Sequence, residues 1–117
     1  MLIDFSKGKI TLVIAPFDLR AGYTRLSDIA FRYLDIDVDT EGHWVVFVSR
    51  NRETAKIIGH DKAGSILISR KLDCGRFKRL ISYATSKDTT TLTPELLCSY
   101  LDGQAYRQTI LPRNLIF

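Results

Sequence analysis

Apolar residues recur in two rhythms along this chain of 117 residues, and the changes between them mark its elements. Ile10, Leu12, Val13 and Ile14, ahead of Pro16, predict a short strand over residues 9–15. Tyr23, Leu26, Ile29, Ala30, Tyr33 and Leu34 then recur at spacings of three and four, with Phe31 among them. That period predicts an amphipathic helix over 23–34, with Arg25, Asp28 and Arg32 turned to solvent and Gly22 giving a tight entry. Asp35, Asp37, Asp39 and Glu41 lead to Gly42 and read as an acidic loop. WVVFVS at 44–49 is aromatic and β-branched and predicts a central strand. A polar turn at 50–53, a strand over 54–58 closed by Gly59, a turn at Asp61, Lys62 and Gly64, and a strand over 65–72 complete an antiparallel meander. Within its last strand Ile66, Ile68 and Arg70 fall on one side, and Leu67, Ser69 and Lys71 on the other.

The segment 75–83, with Phe77, Leu80, Ile81 and Tyr83, fits either a further strand or a short helix, and 86–91 reads as a loop. Thr93 before Pro94 and Glu95 is a helix start. The hydroxyl caps an orphan amide, proline needs no donor in the first turn, and the acid suits the positive helix end. That helix is expected to reach Leu101 and stop at Gly103. Together these elements predict a compact α+β domain spanning 1–117, with an antiparallel sheet of about four strands and at least two helices. The apolar stretch 104–117 is expected as an extension packed on the domain or on a partner. Gly22 and Gly75 are expected to serve backbone shape, and Asp18 and Arg20 to form a structural pair or a surface contact.

Charge changes this picture. Residues 1–49 carry five basic and seven acidic side chains, residues 50–87 carry ten and three, and residues 88–117 two and three, so a net charge of +4 hides a strongly basic middle. Arg50, Arg52 and Lys56 lie in and beside the first hairpin turn. Arg70, Lys71, Arg76, Lys78 and Arg79 flank Phe77. Such a cluster suits a polyanion, because guanidinium and ammonium groups match phosphate oxygens, and Phe77 is either a base-stacking platform or core.

Other chemistry finds less support. The glycines form neither a dinucleotide fingerprint nor a phosphate loop. A calcium loop counted from Asp35 would need glycine and an acid where Thr40 and Val46 stand. His60 with Asp61 or Cys74 is the nearest approach to a catalytic set, without a recognisable nucleophile motif. Cys74 and Cys98 are expected as buried or half-buried thiols, in a cytoplasmic protein without signal peptide or membrane span. No enzyme activity, cofactor or metal is expected.

Several of these residues carry a resemblance. Asp18-Leu19-Arg20-Ala21-Gly22-Tyr23 with Leu26 resembles a "DxRxGxxxL" start. Val45 to Val48 followed by Arg50, Arg52, Lys56 and Ile57 resembles an "RRxRxK" stretch. Asp61 with Gly64 resembles "WDxxG", Arg70-Lys71-Leu72 with Gly75-Arg76-Phe77 resembles "KRLxxGxF", and 92–101 with Gly103 resembles "LsxxeLxxLLxG". In order and spacing, over roughly 10–103, the chain is similar to the small TnpB-type accessory proteins of the IS-66 insertion-sequence family, which share only a name with RNA-guided nucleases. It departs from their pattern with His60 for tryptophan, Lys62 for glycine, and Lys78-Arg79 where tryptophan-proline is usual. The resemblance implies a non-catalytic accessory role in DNA transposition, with DNA and the transposase of the same element as partners. Arg50, Arg52, Lys56, Arg70, Lys71, Arg76, Lys78 and Arg79 are the expected phosphate contacts. The alternative is an interaction module that docks on the transposase through its last helix and tail and touches no DNA.

Overall fold

Why β-branched runs and amphipathic segments settle into layers is visible from which side chains each element buries. The computed structural model describes residues 5, 8–13, 19, 20, 22–39, 42–77 and 89–103. Among them the elements are β1 (Lys9–Val13), α1 (Tyr23–Leu34), β2 (His43–Val48), β3 (Thr54–His60), β4 (Ser65–Lys71), β5 (Thr89–Leu92) and α2 (Pro94–Leu101). The strands form one sheet in the order β4-β3-β2-β1-β5. The fold is a compact α+β domain built on this mixed five-stranded sheet with two helices.

Strand alternation divides the core between the two sides of the sheet. Ile10, Leu12, Trp44, Val46, Val48, Ala55, Ile57 and Ile66 pack with Phe77 and with Leu97 of α2. Val13, Val45, Phe47 and Ile58 point the other way and pack with Leu26 and Ala30 of α1. β2 is buried along its length from Trp44 to Val48, as expected of a central strand covered on both faces.

The meander of β2, β3 and β4 is antiparallel, and Thr54↔Lys71, Lys56↔Ser69 and His60↔Ser65 set its last register. The sheet differs from the sequence expectation at three points. β1 pairs parallel with β2, because α1 carries the chain back to the end of the sheet from which β1 set out. A fifth strand occupies part of the expected 86–91 loop: Thr89–Leu92 lies antiparallel along β1. Its threonines are β-branched and suit a strand, while their polarity hides the alternation that would have signalled one. Finally, Gly59 lies inside β3, which runs on to His60. A side chain at Gly59 would strike the ring of Trp44, so this glycine permits close packing and does not end the strand.

α2 begins as expected: Thr93 Oγ1 accepts from Leu96 N–H at 3.2 Å and Pro94 enters the first turn. Gly103, with φ 75°, follows its end. Gly75 has φ 79°, a conformation only glycine adopts cheaply, as anticipated. Gly22 has φ −89° and open space around it, so the entry to α1 does not require glycine. Both cysteines are exposed, against expectation, since each sits on an outward-facing position of a turn or of α2. Asp18, residues 78–83 and the 104–117 stretch lie outside the described residues.

Candidate functional site

The β2–β3 turn is a network of short polar contacts that fixes two arginines in space. Asn51 Oδ1 accepts from Ser49 Oγ at 2.8 Å and from Glu53 N–H at 3.1 Å, and Ser49 Oγ accepts from Thr54 N–H at 3.1 Å. Arg52 N–H donates to Ser49 O at 3.0 Å, and Arg52 adopts a left-handed φ of 61°. The chain leaving β4 is tied to this turn by two backbone bonds, Leu72 N–H to Glu53 O at 2.8 Å and Phe77 N–H to Arg52 O at 2.7 Å. Hairpin pairing and these two bonds bring Arg50, Arg52, Lys56, Arg70, Lys71 and Arg76 to one end of the sheet. Lys78 and Arg79 lie outside the described residues.

The six do not share one environment. Arg70 is in phase with Ile66 and Ile68 and faces α2, as the alternation predicts. Its guanidinium donates to Leu101 O at 3.3 Å and lies 3.9 Å from Asp102 Oδ1, so it receives the negative end of that helix. Arg76 Nε is 3.8 Å from Glu53 Oε2. The Arg70–Asp102 pair is largely solvated, in the class where an ion pair contributes about 0–1 kcal/mol, whereas Arg76 and Glu53 are half-buried and Arg76 Nε is itself shielded from solvent. Arg52 sits near Tyr100 of α2. Burial pushes that phenol up to about 12, and the positive charge of Arg52 opposes the rise.

Lys56 and Lys71 instead lie in phase with Ile58 and with Leu67, on the α1 side of the sheet. Lys71 is exposed, as is its neighbour Ser69, and Arg50 is exposed at the turn. Thr54 and Ser69 stand directly opposite the two lysines, Thr54↔Lys71 and Lys56↔Ser69. Charge alone does not single out these hydroxyls, although their even spacing from Lys56 and Lys71 is legible in the sequence.

Phe77 is fully buried, with its ring stacked on Tyr100 at 5.6 Å between centroids, so it is core and not a stacking platform. The stripe on α2 divides similarly: Leu97 is buried, whereas Leu96 is 55% exposed.

The other candidate chemistry is dispersed. His60 closes β3 beside Ser65, whereas Cys74 follows Lys71 at the opposite end, about 20 Å away at ~3.4 Å per residue. The Asp61 carboxylate is occupied by the β3–β4 turn, accepting from Ala63 N–H at 2.8 Å and Gly64 N–H at 3.0 Å. The Asp-x-x-Gly motif therefore builds a hairpin. Of the acidic loop, Asp39 accepts from Tyr23 Oη at 2.9 Å, and Asp37 accepts from Asp39 N–H at 3.1 Å. Burial raises the Tyr23 phenol above its usual value, a rise that the hydrogen bond from Ser65 opposes and the nearby Asp39 reinforces. Among the described residues no group of three or more histidine, cysteine or acidic side chains is placed to hold a metal ion. No helix among them is long and apolar enough to cross a membrane.

Comparison with known proteins adds to this geometry. No curated protein and no solved structure shows significant similarity to the chain. The profile of a family described as IS66 Orf2 like protein matches residues 8–110, from the start of β1, through both helices, to beyond Gly103 where the motif resemblance ended. That span covers most of the sequence, and the chain belongs to the IS66 Orf2-like protein family.

Proposed function

We propose that this protein is a non-catalytic accessory factor in transposition that binds DNA phosphates through the basic end of its sheet, with little base specificity. Membership in an insertion-sequence family supports the biological setting. The observation that carries the DNA reading is spatial. Arg50, Arg52, Lys56, Arg70, Lys71 and Arg76 converge at one end of the sheet, around a turn braced by its own polar contacts. Phosphate contacts of this kind position a protein on the duplex and carry no sequence information directly.

The test is a titration of purified protein against a duplex bearing the element's terminal repeat and against a scrambled duplex, over a series of salt concentrations. The expected result is binding to both, with log affinity falling linearly in log salt by about 0.9 per phosphate contacted. Salt-independent binding, or none at low salt, refutes the proposal and moves the function to direct contact with the transposase.

A further inference from the structure

We propose that a second copy of this chain docks on β4, the two edges pairing antiparallel about a two-fold axis at Ile68, so that one sheet runs through both copies. This goes beyond the DNA reading above and does not depend on it.

The backbone carries the argument. β4 ends the strand order, and among the described residues no strand lies beyond it. In an antiparallel ladder every second residue exchanges both backbone bonds with its neighbour strand, and the residues between turn theirs away. Gly64 and Leu72 fix the phase, since Gly64 O accepts from Asp61 N–H and Leu72 N–H donates to Glu53 O. Ile66, Ile68 and Arg70 therefore bond to β3, and Ser65, Leu67, Ser69 and Lys71 hold their N–H and C=O groups outward. All four of these side chains are exposed, the apolar Leu67 by 41%.

Edge strands are ordinarily blunted by proline, a bulge, shortness or charge. β4 is seven residues long, contains no proline, and carries charge only at its last two residues, Arg70 and Lys71. It pairs with β3 from Thr54↔Lys71 to His60↔Ser65 without a bulge. The opposite edge, β5, is only four residues long.

An axis at Ile68 sets Ser65 opposite Lys71, and Leu67 opposite Ser69, of the partner copy. That register uses every outward group of β4, about eight backbone bonds in all. Charge selects the same register. Arg70 and Lys71 then meet the neutral Ile66 and Ser65 of the other copy, whereas an axis at Arg70 or Lys71 would put like charges face to face. The basic ends of the two copies come to lie at opposite ends of the joined sheet.

The test is sedimentation equilibrium of the full chain over a concentration series, with circular dichroism to follow the fold. The unaltered chain is expected to associate to a dimer as concentration rises. Ser69→Pro removes an N–H that β3 does not use. It is expected to weaken association by about thirtyfold, one bond being lost on each side of the axis, with the strand signal retained. Charge exchange covers the case in which proline disturbs β4. Leu67→Lys with Ser69→Lys, and Leu67→Glu with Ser69→Glu, are each expected to stay monomeric. Their equimolar mixture is expected to form dimers, because each lysine then stands opposite a glutamate. An unaltered chain that stays monomeric throughout overturns the proposal. So does a dimer of unchanged strength in Ser69→Pro or in either charged variant, or a mixture that fails to associate.

Discussion

Gly59→Ala tests whether the sheet closes on Trp44 as tightly as the packing indicates. A Cβ at residue 59 would lie 2.2 Å from Trp44 Cε3, 2.5 Å from Cζ3 and 2.8 Å from Cδ2. Carbon atoms rest at about 3.5–4.0 Å, so the ring and β3 must separate by more than ~1 Å. The ring has little room to retreat. It is only 5% exposed, and Phe5 meets it edge-on with centroids 4.8 Å apart. Overpacking a close core contact costs about 1–3 kcal/mol, and a clash this deep belongs at the upper end. At ~2.1 cal/mol/K per residue, a chain of this size has an unfolding entropy of about 0.25 kcal/mol/K. A cost of ~3 kcal/mol therefore lowers the melting temperature by about 12 °C. Circular dichroism gives that temperature, and emission from the single tryptophan reports whether its environment opens. A double-mutant cycle with Trp44→Leu isolates the contact: with the indole gone the alanine has space, and the two destabilisations sum to more than the double variant shows. Additive effects, or a single variant melting within ~2 °C of the original, would refute the packing argument.

Two further outcomes follow from local contacts. Asp61→Ala removes an acceptor used by two backbone amides and is expected to cost about 1–2 kcal/mol, with Asp61→Asn retaining part of it and DNA affinity unchanged in both; an affinity loss without a change in melting temperature would make Asp61 part of the binding surface. For Tyr100 the native phenol is raised from the usual 10.0 to about 12. The native state therefore holds this proton more tightly than the unfolded chain, so the stabilisation is complete below pH 10 and is lost as pH rises from 10 toward 12. Urea unfolding across that window should show a decline that Tyr100→Phe reduces, and an identical decline in the variant would remove Tyr100 as its cause.

Much of this molecule could be read along the chain wherever local chemistry and tertiary packing agree. The run from Trp44 to Val48 is apolar on both faces and became the central strand. Thr93, Pro94 and Glu95 supplied a cap, a first-turn proline and a favourable charge, and α2 begins there. What escaped depended on pairing between distant segments. Nothing near Lys9–Val13 states that its partner on one side is parallel and on the other a threonine-rich strand some eighty residues later. Gly59 resembles a strand terminator until Trp44, on the neighbouring strand, supplies the reason for it. The basic site divides the same way. Its residues are near neighbours in sequence or joined by hairpins, so their clustering was legible, and the alternation in β4 correctly set Arg70 apart from Lys71. The engagement of Arg52, Arg70 and Arg76 was not, because it depends on where α2 ends and on a left-handed turn residue.

The separation of charge along the sequence becomes a separation in space through the topology. β2 and β4 both run toward the end that holds Arg50, Arg52, Lys71 and Arg76, and β3 starts there with Lys56 one turn of the pleat inward. At the opposite end, Asp37 and Asp39 lie on the loop into β2, and Asp61 sits in the β3–β4 turn, each held by hydrogen bonds. In the proposed function, long-range attraction would draw the basic end toward the polyanion before contact forms. The same arrangement makes the two ends separable by experiment: substitutions at Asp61 are expected to act on stability, and those among the basic residues of the proposed interface on the salt dependence of binding.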